Sequence, residues 1–165
     1  MTGLGILTFL DFAPVEFATR GVDGNIGDKL SGTLDDLLAH SDVISLHLPL
    51  TEETTRFADA AFFARCKRPI WFINTARGPL VGTEALLDAL DNGRVRGACL
   101  DTLEFEERSL LGLRSDAPQP VLQRLFKNER VLLSPHIAGI THESYFKLAN
   151  VLADKILSDI ADGKL

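Results

Sequence analysis

The sequence predicts an α/β fold in which a doubly wound parallel sheet is flanked by helices. Two observations lead to this prediction: apolar runs of strand length recur along the chain, and segments with helical periodicity lie between them. The runs are apolar throughout instead of alternating, which is typical of parallel strands whose two faces are both covered. The predicted strands are residues 5–10, 42–48, 69–73, 97–100 and 130–133.

Helical segments follow most of these strands, and their ends carry recognisable signals. Thr33 and Asp36 stand at capping-box spacing, and Thr83 is the expected N-cap of a later helix that stops at Gly93. The last segment repeats apolar residues at helical spacing and predicts a long C-terminal helix. The predicted helical segments are 32–41, 51–66 (as two short helices), 82–94 and 141–163.

Two segments, 14–32 and 107–128, show no clear periodicity and are expected to form irregular loops. The second contains Pro118 and Pro120, which discourage regular structure in a strand or within a helix.

Composition narrows the class of protein. A chain of 165 residues is about one domain long, and 45% apolar with 24% charged residues is typical of a soluble globular protein. The net charge of −6 argues against a nucleic-acid or anionic-membrane partner, and no apolar run approaches the roughly 20 residues needed to span a bilayer. Cys66 and Cys99 form no CxxC pattern, which favours reduced thiols in a cytoplasmic protein. The four histidines show no zinc-site spacing, so no metal is predicted.

Polar residues follow the predicted strands where those strands end. In open parallel sheets, ligands bind beyond the carboxyl ends of the strands. These side chains are therefore expected to converge on one edge of the sheet. They are Asp11 after the first strand, His47 at the second, Thr75 and Arg77 after the third, Asp101, Glu104 and Glu106 after the fourth, and His136 after the fifth.

Each of these residues also has an ordinary interpretation. Arg77 could be a surface cation, with Gly78-Pro79 as simple turn chemistry, and the acidic residues after Asp101 could form a solvated loop. A histidine is often structural, although Pro135 holds the chain extended before His136. The glycine patterns are weak: neither Gly3-Leu4-Gly5 nor residues 21–28 match G-x-G-x-x-G between a strand and a helix.

Three ordered segments together are more specific. They are "SDVISLHLPLTEETTRF", "FINTARGPLVGTEALLDALDNGRVRGACLDTLEFEE" and "LLSPHIAGITHES". With them the chain resembles the D-isomer-specific 2-hydroxyacid dehydrogenases, most of all the phosphoglycerate dehydrogenase-like branch, from about residue 6 to residue 163. The resemblance implies a Rossmann-like fold, NAD as cofactor, and a 2-hydroxy acid or 2-oxo acid as substrate.

The resemblance also implies catalytic roles. Arg77 matches the arginine that grips the substrate carboxylate, a task for which a planar guanidinium fork is suited. His136 matches the general acid/base that exchanges a proton with the substrate oxygen. Glu106 matches the acid that pairs with this histidine and favours the imidazolium, and Glu104 is the alternative.

Cofactor contacts are implied in the same way. Asp101 matches the residue near the nicotinamide carboxamide, and Asp11 matches the acid on the adenosine ribose, which favours NAD over NADP. Thr75 and Ala76 would offer backbone groups to the nicotinamide. The full set of expected cofactor-binding residues is Asp11, His47, Pro49, Thr54, Thr75, Ala76, Asp101 and Gly139.

The chain departs from the family pattern in several respects. It resembles a Rossmann-like domain truncated before the glycine-rich turn, so residues 1–165 are expected to form a partial dinucleotide-binding domain with the substrate-binding domain absent. The isolated chain is therefore expected to bind NADH weakly or not at all. Glu107 stands where the family often has proline, and the 30 residues from Glu106 to His136 are expected to bulge from the fold.

Two further expectations concern assembly and function. Members of the family are commonly dimers, so a homodimer is expected. The alternative function is a non-catalytic, NAD-sensing binding module of the corepressor type, against which the presence of Arg77, Glu106 and His136 argues.

Overall fold

A computed structural model describes residues 4–8, 16–18, 33–107 and 112–162 of the chain. Within these ranges the strands are β1 (Leu4–Thr8), β2 (Glu16–Ala18), β3 (Val43–His47), β4 (Ile70–Asn74), β5 (Val95–Leu100) and β6 (Val131–Leu133). The helices are α1 (Leu34–His40), α2 (Ala60–Arg65), α3 (Thr83–Asp91), α4 (Gln119–Phe126) and α5 (His142–Ala161), with a 3₁₀ turn at Gly78–Leu80. The chain divides into two compact units between Pro135 and His136. Each unit is described by itself.

The described strands form one sheet in the order β2-β1-β3-β4-β5-β6. Neighbouring strands from β1 through β6 run parallel, and β2 alone in the described sheet pairs antiparallel, with β1. The predicted α/β class, the Rossmann-like parallel sheet and the long C-terminal helix are confirmed, and the five predicted strands are present within a few residues of their expected bounds. The strand β2 corrects the expectation of an irregular loop at 14–32, because three residues are too few to show a periodic pattern.

The core lies on one face of the sheet. Phe72 of β4 is fully buried there, and its ring centroid lies 5.3 Å from that of Phe63 on α2. Helices α1, α3 and α4 contribute buried leucines to the same core: Leu37, Leu38, Leu86, Leu87, Leu90 and Leu125. The strands β3 to β6 follow one another in the sheet in chain order, and right-handed crossovers between such strands lie on a single side.

The other face of the sheet differs from the expectation of cover on both sides. Trp71 of β4 is 49% exposed and Leu132 of β6 is 68% exposed. The Trp71 indole packs directly against Gly97. A β-carbon on residue 97 would come within 2.5 Å of the Trp71 ring, so only glycine leaves room for it. Among the described residues this face is therefore covered only in part, since Ser45 of β3 on the same face is 7% exposed.

The predicted start of α1 is confirmed, and the predicted start of α3 differs from the structure by one residue. The capping box of Thr33 and Asp36 is confirmed, and Gly93 has a φ of 78°, which suits a glycine stop signal. The N-cap of α3 is Gly82, and Thr83 is the first helical residue. The prediction of Thr83 as the N-cap was wrong. The backbone N–H of Thr83 donates to the side chain of Glu104, which lies 21 residues further along the chain.

Two helical segments also differ from their predictions. The segment 51–66 holds one helix, α2, preceded by turns, where two helices were expected. The expected loop 107–128 contains α4, whose Pro120 lies in the first turn. A proline there lacks only an N–H that has no intrahelical partner, so it does not break the helix.

The second unit contains the long helix α5. Its N-cap Thr141 forms a capping box with Ser144, and the helix lies within the predicted segment 141–163. Several large apolar side chains of α5 remain exposed, namely Tyr145, Phe146, Val151, Leu152, Leu157 and Ile160. No helix in the described ranges is both long enough and apolar enough to cross a membrane.

Candidate active site

An open cavity of about 650 Å³ lies where β3 and β4 end. Its lining brings together four of the residues that the sequence singled out, His47, Pro49, Ala76 and Arg77. These residues come from two neighbouring parallel strands, whose carboxyl ends meet at one edge of the sheet. The expected convergence is therefore observed for this part of the site.

The turn after β4 is held by a residue that sequence reasoning missed. Asn74 is fully buried, its Oδ1 accepts the Ala76 N–H at 3.1 Å, and its Nδ2 donates to the Arg77 carbonyl at 2.9 Å. Asparagine favours turns through this kind of local side-chain bond. The signal was therefore present in "NTARGP", at the strand end. By fixing the backbone of Ala76 and Arg77, Asn74 sets the point from which the Arg77 side chain leaves.

The Arg77 guanidinium is exposed and makes a local bond only to the backbone, with Nη1 donating to the Ala76 carbonyl at 2.7 Å. Among the described residues, no carboxylate accepts a hydrogen bond from its other N–H groups. An exposed fork of N–H groups at a cavity is suited to binding a carboxylate from outside. Thr75, one residue past β4, is also exposed.

The β3 side of the cavity is shaped from within by Thr54. Its side chain is buried, and its hydroxyl donates to the Pro49 carbonyl at 2.7 Å while accepting the Thr51 N–H at 2.8 Å. Thr54 therefore holds the loop that carries Pro49. His47 is exposed at the strand end, and its Nε2 lies 2.9 Å from the Ser45 hydroxyl.

Asp101 lies at the carboxyl end of β5 and is 4% exposed. Its Oδ1 accepts the Ser134 hydroxyl at 2.5 Å, and its backbone N–H donates to the Asn74 carbonyl at 3.0 Å. These bonds tie the ends of β4, β5 and β6 together. The next side chain, Thr102, is fully buried, and its hydroxyl has no hydrogen-bond partner among the described residues.

The two glutamates after Asp101 have different environments. The Glu104 side chain is 8% exposed, and its two oxygens accept hydrogen bonds from the Thr83 N–H at 2.7 Å and from Arg56 Nε at 2.8 Å. Glu106 turns back on its own loop, where its Oε1 accepts the Leu103 N–H at 2.7 Å. Glu104 thus connects its loop to two other segments of the fold, whereas this bond of Glu106 lies within its own loop.

His136 begins the second unit in an unusual backbone conformation. Its φ is 54°, in the left-handed region that non-glycine residues seldom occupy, and its side chain is half-buried. Backbone strain of this kind is frequent at functional sites. In the same unit, no described atom lies within 4 Å of the place where a β-carbon on Gly139 would stand, so there is room beside this backbone.

The remaining expectations have simple outcomes. Asp11 lies outside the described residues. Among the residues that are described, no group of three or more histidine, cysteine, aspartate or glutamate side chains is placed to hold a metal ion. Both cysteines are free thiols.

Residues 18–138 match the family model for "D-isomer specific 2-hydroxyacid dehydrogenase, NAD binding domain". Among curated relatives, the chain is 40% identical to a D-lactate dehydrogenase of Treponema pallidum over 66% of its own length and 34% of the relative's. It is 39% identical to a glyoxylate reductase of Thermofilum pendens over 76% of the chain and 34% of the relative. The chain therefore spans about a third of the length of these relatives.

Solved structures agree with the sequence relatives. D-2-hydroxyisocaproate dehydrogenase superposes with a TM-score of 0.67 at 33% identity, over 81% of this chain and 41% of that one. A D-lactate dehydrogenase from Aquifex aeolicus, complexed with NAD and lactic acid, gives a TM-score of 0.65 at 32% identity, over 87% of this chain and 44% of that one. The predicted cofactor class, NAD, agrees with the domain matched. The chain belongs to the D-isomer-specific 2-hydroxyacid dehydrogenase family, and its residues 18–138 match the NAD-binding domain of that family.

Proposed function

We propose that this chain is the catalytic, NAD-binding part of an oxidoreductase that transfers a hydride between NAD(H) and a D-2-hydroxy acid or its 2-oxo acid. The observation that carries the proposal is the position of Arg77, exposed at a cavity between the ends of β3 and β4. Matched relatives named D-lactate dehydrogenase, glyoxylate reductase and D-3-phosphoglycerate dehydrogenase support small 2-oxo acids as the substrate class.

The residues around the cavity fit a dinucleotide. The cavity is open, and apolar Leu50 and Pro49 stand beside the polar His47 and the backbone of Ala76. Apolar side chains combined with a few oriented polar groups are typical of cofactor sites. Bound NAD would supply the hydride acceptor or donor, and His47, Pro49, Thr75, Ala76, Asp101 and Gly139 are the described residues proposed to hold it. Thr54 would act by shaping the Pro49 loop.

The chain's own residues would bind the substrate and move its proton. Arg77 would bind the substrate carboxylate through two parallel N–H···O bonds, which orient the 2-oxo group as well as attract it. His136 would donate a proton to the substrate oxygen in the reductive direction and accept it in the other. Glu106 is the acid proposed to pair with this histidine and to orient its ring.

Three further proposals concern the substrate, the oligomeric state and the cell compartment. Pyruvate, glyoxylate and a phosphorylated acid of the 3-phosphoglycerate type are the candidate substrates. The family resemblance supports a homodimer, and the exposed apolar side chains of α5 are compatible with a covered surface. The two free thiols support a reducing, cytoplasmic environment.

The experiment that tests this function measures NADH oxidation by the complete protein that contains this chain, with pyruvate, glyoxylate and 3-phosphohydroxypyruvate, because the isolated chain is expected to bind NADH weakly or not at all. Arg77→Lys keeps the charge but loses the planar fork, so kcat/KM for the 2-oxo acid should fall about a hundredfold or more, with NADH affinity nearly unchanged. His136→Ala should remove most of the turnover. Arg65→Lys, which changes an exposed arginine on α2 outside the cavity, is the matched control and should behave as wild type.

Two outcomes would contradict the proposal. Equal rates of 2-oxo acid reduction by wild type and His136→Ala would remove the proton-transfer role. Calorimetric binding of NADH without turnover of any 2-oxo acid would favour the alternative, a non-catalytic NAD-sensing module.

A further inference from the structure

We propose that Arg56 and Glu104 form a positioning pair that holds two loops in register, the turn that carries Arg77 and the loop that carries Glu106. This inference rests on the proposed function for its catalytic meaning, but its geometry is independent of it. Neither side chain lines the cavity between β3 and β4. Both would act through the residues that they hold in place.

The main chain of Arg56 contacts the first loop. Its N–H donates to the Pro79 carbonyl at 2.7 Å, two residues after Arg77. The neighbouring Ala58 continues this contact, since its N–H donates to the Leu80 carbonyl at 2.9 Å and it forms a parallel bridge with Val81. The segment 56–58 therefore fixes the chain immediately after the Arg77 turn.

Arg56 adopts an uncommon backbone conformation to make this contact. Its φ is 53°, in the left-handed region, where a long side chain carries an energetic cost. Such a conformation persists only where the surrounding contacts determine it. In Arg56 it lets the backbone N–H reach the Pro79 carbonyl while the side chain reaches a different loop.

The side chain of Arg56 contacts the second loop through Glu104. Arg56 Nε donates to Glu104 Oε1 at 2.8 Å, and the Thr83 N–H at the start of α3 donates to Oε2 at 2.7 Å. With its side chain 8% exposed, the carboxylate has lost most of its hydration and needs these two donors. Glu104 is therefore anchored through Oε2 to the N-terminus of α3 and through Oε1 to Arg56.

The anchored residue is adjacent to the turn that orients Glu106. Leu103 precedes Glu104, and the Leu103 N–H donates to Glu106 Oε1 at 2.7 Å, while the Glu106 N–H donates to the Leu103 carbonyl at 3.1 Å. A shift of Glu104 would therefore move the backbone that orients the Glu106 carboxylate. The Arg56 side chain is 67% exposed, so water can replace part of its bond, and loss of the pair should affect loop position more than global stability.

The test compares Arg56→Met with Arg56→Lys. Methionine has similar length and the same backbone tolerance but cannot donate a hydrogen bond, whereas lysine retains a cation that can reach Glu104. Amide hydrogen exchange of the chain should be about tenfold faster at Leu103 and Glu106 in Arg56→Met and close to wild type in Arg56→Lys. The Ala98 N–H, which donates to the Arg130 carbonyl in the sheet, should be unchanged and is the internal control.

Activity provides the second readout. In Arg56→Met, kcat for 2-oxo acid reduction should fall about tenfold with an unchanged KM for NADH, and Arg56→Lys should restore it. Unchanged exchange at Leu103 and Glu106 in Arg56→Met, or equal acceleration at Ala98, would overturn the positioning role. A complete wild-type protein without turnover would contradict the proposed function alone, because the exchange data would still decide the inference.

Discussion

The α-carbon of Gly78 lies directly against the carbonyl group of Leu103. A β-carbon on residue 78 would stand 1.9 Å from the Leu103 oxygen and 2.0 Å from its carbonyl carbon. Gly78 follows Arg77, and Leu103 carries the N–H that binds Glu106. The absence of a side chain at residue 78 therefore lets the two candidate catalytic loops approach each other within the first unit.

Gly78→Ala should separate these loops, because the overlapping atoms are backbone and cannot rotate away. We expect a loss of at least about 2 kcal/mol in the free energy of unfolding, measured by urea denaturation. Amide exchange at Leu103 and Glu106 should accelerate in the same variant.

Gly82→Ala is the matched control for this prediction. A β-carbon on residue 82 would meet nothing described that is closer than 3.7 Å, and the φ of −74° is accessible to alanine. Gly82→Ala should lower the free energy of unfolding by less than about 1 kcal/mol, as expected for an N-cap position. Equal losses in the two variants would show that the contact with Leu103 is not the cause.

The contact at Gly78 illustrates what the sequence could and could not predict. The run before Asn74 predicted a strand, and the chemistry of Arg77 suggested a site at its end, because both depend on local pattern. The need for glycine at residue 78 depends on a loop about 25 residues away in the chain, and no local pattern reports such an approach. A turn interpretation of Gly78-Pro79 was therefore reasonable but incomplete.

The same distinction explains the other differences. The helix α4 lies in a segment where Pro118 and Pro120 predict an irregular loop, but a proline at the N-cap or in the first turn is tolerated. Thr83 was expected as an N-cap, yet its N–H is bound by Glu104 from 21 residues away. Asn74 could have been found, since its bonds reach only two and three residues along the chain.

Thr102 offers a prediction with the opposite sign. Its hydroxyl is buried and has no hydrogen-bond partner among the described residues, so it contributes a desolvation cost to folding. Thr102→Val replaces the hydroxyl with a methyl group of similar shape. We expect the free energy of unfolding to rise by about 1 kcal/mol, measured by thermal and urea denaturation.

The control for Thr102→Val is Thr54→Val. Thr54 is similarly buried, but its hydroxyl donates to the Pro49 carbonyl at 2.7 Å. Removing that donor leaves a carbonyl without its partner, so this variant should lose about 1–2 kcal/mol. A loss of similar size in both valine variants would contradict the distinction between a bonded and an unbonded hydroxyl.

The buried thiol of Cys66 should make the free energy of unfolding depend on pH in the alkaline range. Burial raises the pKa of its thiol from an ordinary 9.0 to about 11, with the Arg94 and Arg65 cations acting in the opposite direction. In the unfolded chain the thiol loses its proton first, so between about pH 9 and about pH 11 the unfolded state binds fewer protons than the folded one. The contribution of this group is therefore fully present below about pH 9 and is lost as pH rises through about 11.

Urea denaturation across this range should give a steeper decline in the free energy of unfolding for wild type than for Cys66→Ala. Comparing slopes removes the cost of the cavity that alanine leaves, because that cost does not change with pH. Parallel declines in the two proteins would show that the buried thiol does not control this pH dependence.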